Sequence, residues 1–186
     1  MVALGSLLVP VVVSAVFVFA VSSILHMALK YHKQDYRRLP KEDEVLAALR
    51  GAAPAPGVYM FPYCDDMKEM GSEAMLAKFN RGPVGTLSVM PNGPVSMPKH
   101  LTLWFVYCLL VSFFTAYVAA HTVEAGTEYL AVFRVVGAVA FMAYGLANFV
   151  DSVWKNQPWG NTARATVDGL LYALVTAGTF GWLWPS

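Results

Sequence analysis

The sequence predicts an all-α membrane protein of four transmembrane helices, with a small cytoplasmic α+β cap between the first and second. Three observations lead there. Of 186 residues, 57% are hydrophobic and only 13% charged, about half the roughly 25% charge of an ordinary soluble domain. The apolar residues are gathered into long runs without a charged face. The basic residues are grouped as well: ten of the 13 Lys and Arg lie between Lys30 and Lys99, which leaves Arg134, Lys155 and Arg164 for the rest.

The runs are Gly5–Leu29, Leu101–Ala120, Tyr129–Val150 and Ala165–Trp184. Each is about 20 residues or longer, enough to cross roughly 30 Å of hydrocarbon. They divide the chain into a first span (1–29), a cap segment (30–100) and a three-helix bundle (101–186). The first run has no basic residue before it and no small-residue cleavage site after it, so it reads as a retained span and not as a signal peptide.

Lys and Arg mark the side that is not translocated. That rule places 30–100 and 151–164 on the cytoplasmic side of the membrane, with both termini outside. The connection from His121 to Glu128 has no basic residue and carries Glu124 and Glu128. Lys30, Lys33, Arg37 and Arg38 sit where anionic headgroups attract them, at about 1 kcal/mol each. A net charge of +1 gives no bulk attraction to nucleic acid. Cys64 and Cys108 are too few for a disulfide framework and read as free thiols.

Within the cap, Lys41–Arg50 has acids in its first turn and Gly51 after its last basic residue, the signals of a short helix. Ser72–Asn80 reads as a second helix ended by Gly82-Pro83. Val58–Tyr63 and Val84–Met90 read as short strands. So small a segment buries little core, and the expectation is that it packs on the membrane surface or on a partner.

Four kinds of residue carry candidate chemistry. His26 and His100 fall at the cytoplasmic ends of the first two spans, where a facing pair could hold haem iron, or a lone histidine a chlorin pigment; interfacial polar residues are the competing reading. Met60, Cys64, Met67, Met70 and Met75 gather soft sulfur, which suits Cu(I) or, more simply, adaptable packing. Arg134 and Asp168 are charges inside spans. Arg134 can snorkel outward, or serve a buried ion pair or an anion site, and Arg164 is spaced to pair with Asp168, as Lys155 is with Asp151.

Small residues recur every fourth position as Gly169, Ala173, Ala177 and Gly181 on the fourth run, and as Cys108, Ser112, Ala116 and Ala120 on the second. Such stripes let helix backbones approach closely, either within this chain or against another subunit.

The stretches "SSILHMALKYHKQDYRRLP", "GPVGTLSVMPNGPVSMPK" and "VDGLLYALVTAGTFGWLWP" resemble a family of uncharacterised bacterial multi-pass inner-membrane proteins. The resemblance implies the topology and assigns no activity. With no nucleophile–base pair and no ligand cluster in the sequence pattern, neither catalysis nor a bound cofactor is expected. The sequence points to an accessory subunit that stabilises or assembles a larger membrane complex of the respiratory or photosynthetic kind, with partner subunits on the fourth run. The alternatives are a small transporter or channel, and a haem- or pigment-binding protein.

Overall fold

The computed structural model describes residues 2–186. The chain runs through α1 (Leu8–Ser23), α2 (Glu42–Ala52), β1 (Gly57–Phe61), α3 (Glu73–Arg81), β2 (Gly85–Val89), α4 (Met97–Thr122), α5 (Tyr129–Tyr144), α6 (Phe149–Lys155) and α7 (Trp159–Trp182). It divides into two compact units, one of residues 1–36 with 96–186 and the other of 37–95.

The larger unit is a helical bundle. Three of its helical runs are long and apolar enough to cross a membrane: Leu4–Ala28, Met97–Thr122 and Tyr129–Lys155. The expected fourth, α7, has 24 residues but carries Arg164, Asp168 and several threonines, and is not apolar enough to join them. Its polarity has a physical reason. Thr162, Asp168, Thr176 and Thr179 are all buried; the Thr176 and Thr179 hydroxyls donate to carbonyls of α7 one turn back, and the Thr162 hydroxyl bonds to Ser152 of α6.

The small-residue stripes explain the packing. Ala173 and Ala177 are buried against this chain's own helices. A Cβ at Gly169 would stand 2.4 Å from the Tyr144 carbonyl oxygen, so α7 crosses the end of α5 at backbone contact. A Cβ at Gly181 would meet the Tyr129 ring at 2.7 Å, and one at Gly137 would lie 3.3 Å from the Ala177 methyl. On α4, Cys108, Ser112, Ala116 and Ala120 are all essentially inaccessible. Ser112 accepts a 3.0 Å hydrogen bond from Ser14 of α1. Both stripes therefore point inward, where tight backbone approach gains van der Waals contact that lipid does not supply.

Two aromatic residues tie the helices near one end. Trp104 Nε1 donates to Ser22 Oγ at 2.8 Å, joining α4 to α1. Tyr107 donates to the Ala143 carbonyl at 3.1 Å, joining α4 to α5. Arg134 is exposed on α5 and has no ion-pair partner among the described residues. Cys108 is buried, Cys64 is half-buried, and both are free.

The smaller unit has the two helices and two strands its sequence suggests. α2 begins with Glu42, Asp43 and Glu44 at its positive end and has Arg50 in its last turn, as the helix dipole favours. Ser72 caps α3 through a 3.3 Å bond from the Met75 amide. β1 and β2 pair antiparallel, from Gly57 opposite Val89 to Phe61 opposite Gly85. Met75 is the only buried apolar residue here among the described residues. Val58, Met60, Tyr63, Met67 and Met90 are all more than half exposed.

Candidate functional site

The helix that starts the bundle does not end cleanly. After α1 it widens into a π-turn over Ile24–Ala28, closed by the Leu29 amide bonding to the Ile24 carbonyl at 3.2 Å. Such turns rotate the side chains that follow, and they are frequent at functional sites. Here the turn carries His26. A 3₁₀ turn, Tyr31–Gln34, then folds the chain back on itself. The reversal stacks the His32 ring on the His26 ring, with centroids 4.3 Å apart and planes 11° from parallel.

From the other side α7 supplies Asp168, 3% exposed. Its Oδ2 lies 2.7 Å from His32 Nε2 and 4.0 Å from His26 Nε2. Its Oδ1 accepts from the Tyr31 hydroxyl. That bond turns the carboxylate so that its second oxygen meets both imidazoles. Burial pushes the Tyr31 pKa up, and the bond to Asp168 pushes it further, so the phenol stays a neutral donor.

Each imidazole is oriented through its other nitrogen. His26 Nδ1 donates to the Ser22 carbonyl at 3.0 Å, which leaves Nε2 as the free nitrogen. His32 Nδ1 donates to Asp35 Oδ2 at 2.6 Å. Arg164 in turn holds Asp35: its Nε and Nη2 each reach Oδ1 at 2.7 Å. Asn161 completes the support by donating to the Asp35 carbonyl at 3.0 Å and accepting from Arg164 at 2.7 Å. Burial alone would raise the Asp35 pKa, but the bonds from His32 and Arg164 outweigh it and hold the carboxyl below its ordinary value.

The charges do not cancel within this cluster. Arg164 compensates Asp35, while Asp168 is buried with only neutral Tyr31 and the two imidazoles around it. An uncompensated buried carboxylate costs several kcal/mol. A metal ion held at the imidazoles would offset that cost. His26, His32 and Asp168 each offer one donor atom, all within 4.8 Å of one another. A tetrahedral ion with bonds near 2.0–2.1 Å sets its ligands about 3.3 Å apart. The observed 2.7 and 4.0 Å bracket that spacing, but near-parallel stacked rings do not aim both Nε2 lone pairs at one point, so seating an ion requires the more exposed His26 ring to turn out of the stack.

These placements revise two sequence expectations. Arg164 does not pair with Asp168; it reaches Asp35, and Asp168 faces the histidines instead. The local pair forms at Lys155 and Asp151, 2.7 Å apart, where no distant group competes. His26 stands with His32, whereas His100, exposed in the first turn of α4, is not part of this cluster. Tyr31, His32 and Asp35 were not singled out by the sequence. The available signal was the spacing His26-x5-His32-x2-Asp35 directly after an apolar run, together with a buried-range acid, Asp168, that needed a partner. No protein-family model, curated protein or solved structure matches this chain. The functional reading therefore rests on geometry.

Proposed function

We propose that this chain is a multi-pass membrane protein that binds one divalent transition-metal ion at His26, His32 and Asp168. One observation carries the reading: three donor atoms converge, and each histidine already has its other nitrogen engaged, by a backbone carbonyl and by a carboxylate. Metal-bound histidines almost always show this second hydrogen bond, which fixes the tautomer and strengthens the ligand. Two imidazoles with one carboxylate suit zinc and its first-row neighbours better than calcium or magnesium, which prefer all-oxygen sites.

The accompanying topology is four crossings, with α7 as the fourth, shielded by its neighbours despite its polarity. The basic residues favour an orientation with the metal end on the cytoplasmic side, in the bacterial inner membrane that the resemblance implies. Cysteines introduced at Lys33, Glu124 and Lys155 test this: outside reagents should label only the middle one.

The test of metal binding uses full-length protein in detergent, stripped with chelator and titrated with Zn(II). One equivalent should bind. His32→Ala and Asp168→Ala should abolish binding, and Asp35→Asn should weaken it about 10–100-fold, as expected for a supporting partner. Affinity should fall on acidification, because protons compete for the same donors. Folded wild-type protein that takes up no stoichiometric metal would end this reading.

A second reading, an accessory subunit of a larger membrane complex, is favoured by the 37–95 unit. Its one buried apolar residue and its many exposed Met, Val and Tyr side chains leave apolar surface for a partner to cover. The stripe of Ala173 and Ala177 lends it no support, since those residues face their own bundle. Mild detergent extraction yielding a stoichiometric co-purifying subunit, lost on charging Val58 and Met60, supports it. A clean monomer at native expression level removes it.

A further inference from the structure

Resting on the metal reading above, we infer that the bound ion keeps an exchangeable coordination position open to the adjoining cleft, where a water, a hydroxide or a small monodentate anion binds. The protein supplies three donors, whereas closed structural sites of zinc-like ions supply four. The surrounding polar groups do not provide a fourth. Asp35 sits on the Nδ1 side of His32, behind the ring from the Nε2 that faces Asp168. Tyr31 is committed to the far oxygen of Asp168. Arg164 and Asn161 are committed to Asp35 and to each other.

The vacant side is also accessible. His26, His32 and Asp168 line a cleft of about 480 Å³, which Asp35, Tyr36, Gln157, Asn161 and Ala165 also border. The cleft is only partly enclosed: the His26 side chain is 52% exposed, while that of Asp168 is 4% exposed. Two largely buried donors, His32 and Asp168, with the exposed His26 at the opening are the arrangement of a catalytic metal site with an open position, not of a closed structural one. On a zinc-like ion, water in such a position ionises near neutral pH. The polar lining from Gln157, whose side-chain amide has no hydrogen-bond partner among the described residues, suits a small hydrogen-bonding ligand more than an apolar one.

The experiment loads full-length protein with Co(II), whose visible bands report coordination, and titrates azide. One bound cobalt whose bands shift to a saturating new spectrum is the expected result. Ala165→Phe, which narrows the cleft without removing a donor, should keep the cobalt and weaken the azide response at least tenfold. Cobalt bound in one equivalent with bands that azide leaves unmoved would overturn the open position while leaving the metal reading intact. Folded protein with no cobalt bands at all would overturn both. An azide response that Ala165→Phe does not weaken would place the anion outside the cleft and overturn the inference as stated.

Discussion

The two halves of α7 are built on opposite principles. From Gly169 onward its closest approaches are made through Gly169, Ala173, Ala177 and Gly181, with Tyr172 and Phe180 buried beside them. Before Gly169 it meets them through Asn161, Arg164 and Asp168, each reaching a side chain or carbonyl of the 31–35 turn. The small-residue half gains stability from many weak contacts that any close fit provides. The polar half has a few strong contacts, and each depends on one particular partner. A packing seam and a chemical site thus share one rigid helix, and the seam fixes where the site stands.

Breaking the seam should have the largest effect. Gly169→Leu puts a side chain where even a Cβ would overlap the Tyr144 carbonyl, 2.4 Å away, and would also crowd the Gly145 Cα. Backbone cannot give way as a flexible side chain can. Overpacking usually costs about 1–3 kcal/mol, and this case belongs at or beyond the top of that range. The expected outcome is loss of the folded monodisperse species, read by fluorescence-detected size exclusion after mild heating. A variant as stable as wild type would mean that α5 and α7 do not cross here.

Ala177→Leu tests the same seam at a softer place. Ala177 is inaccessible, and its methyl faces Gly137, whose own Cβ would lie only 3.3 Å away. Leucine must push α5 outward, at about 1–3 kcal/mol. The bundle should lose thermal stability while the protein still inserts. Unchanged melting, together with release of a bound subunit, would mean instead that this stripe faces a partner.

Arg164→Leu breaks the polar half. It leaves Asp35, about 20% exposed, without its cation, and it leaves His32 facing a carboxylate that water must now compensate. Removing one partner of a fully buried pair costs about 3–5 kcal/mol; the partial exposure here reduces that to about 1–3 kcal/mol. Metal affinity should fall with stability, because Asp35 orients His32. Asn161→Ala should do less of both.

The contrast also explains what the sequence could and could not disclose. A seam is written within one helix: Gly169, Ala173, Ala177 and Gly181 reveal it by spacing alone. The apolar runs, the short helices at 42–52 and 73–81 and the paired strands are likewise local patterns. The site is written across 136 positions, from His32 to Asp168, and no local period connects them. Its local cues misled: Arg164 is correctly spaced for Asp168, but helix geometry permits that pair without requiring it, and Asp35 offered a second, better-placed carboxylate. The polarity of α7 was legible as Arg164 and Asp168. That it counts against α7 as a fourth apolar span, and that it builds a site, required knowing which face the bundle buries.

The smallest effect comes from an ion pair that matches Arg164–Asp35 in distance and differs in surroundings. Lys155 and Asp151 are also 2.7 Å apart, on the exposed face of α6, with side chains 67% and 44% accessible. Water already solvates both groups, so little desolvation is recovered when they meet, and holding the lysine in one geometry costs side-chain entropy. Exposed helical pairs of this kind contribute about 0.3–0.5 kcal/mol. Lys155→Ala should therefore shift the melting midpoint by a degree or less and leave metal affinity unchanged, whereas Arg164→Leu changes both. Salt separates the two further: added sodium chloride should erase the small Lys155 contribution and barely alter the Arg164 one, since partly buried pairs are screened much less. Equal losses for the two variants would mean that distance, and not burial, governs these pairs, and the contrast between the polar site and the protein's surface would fail.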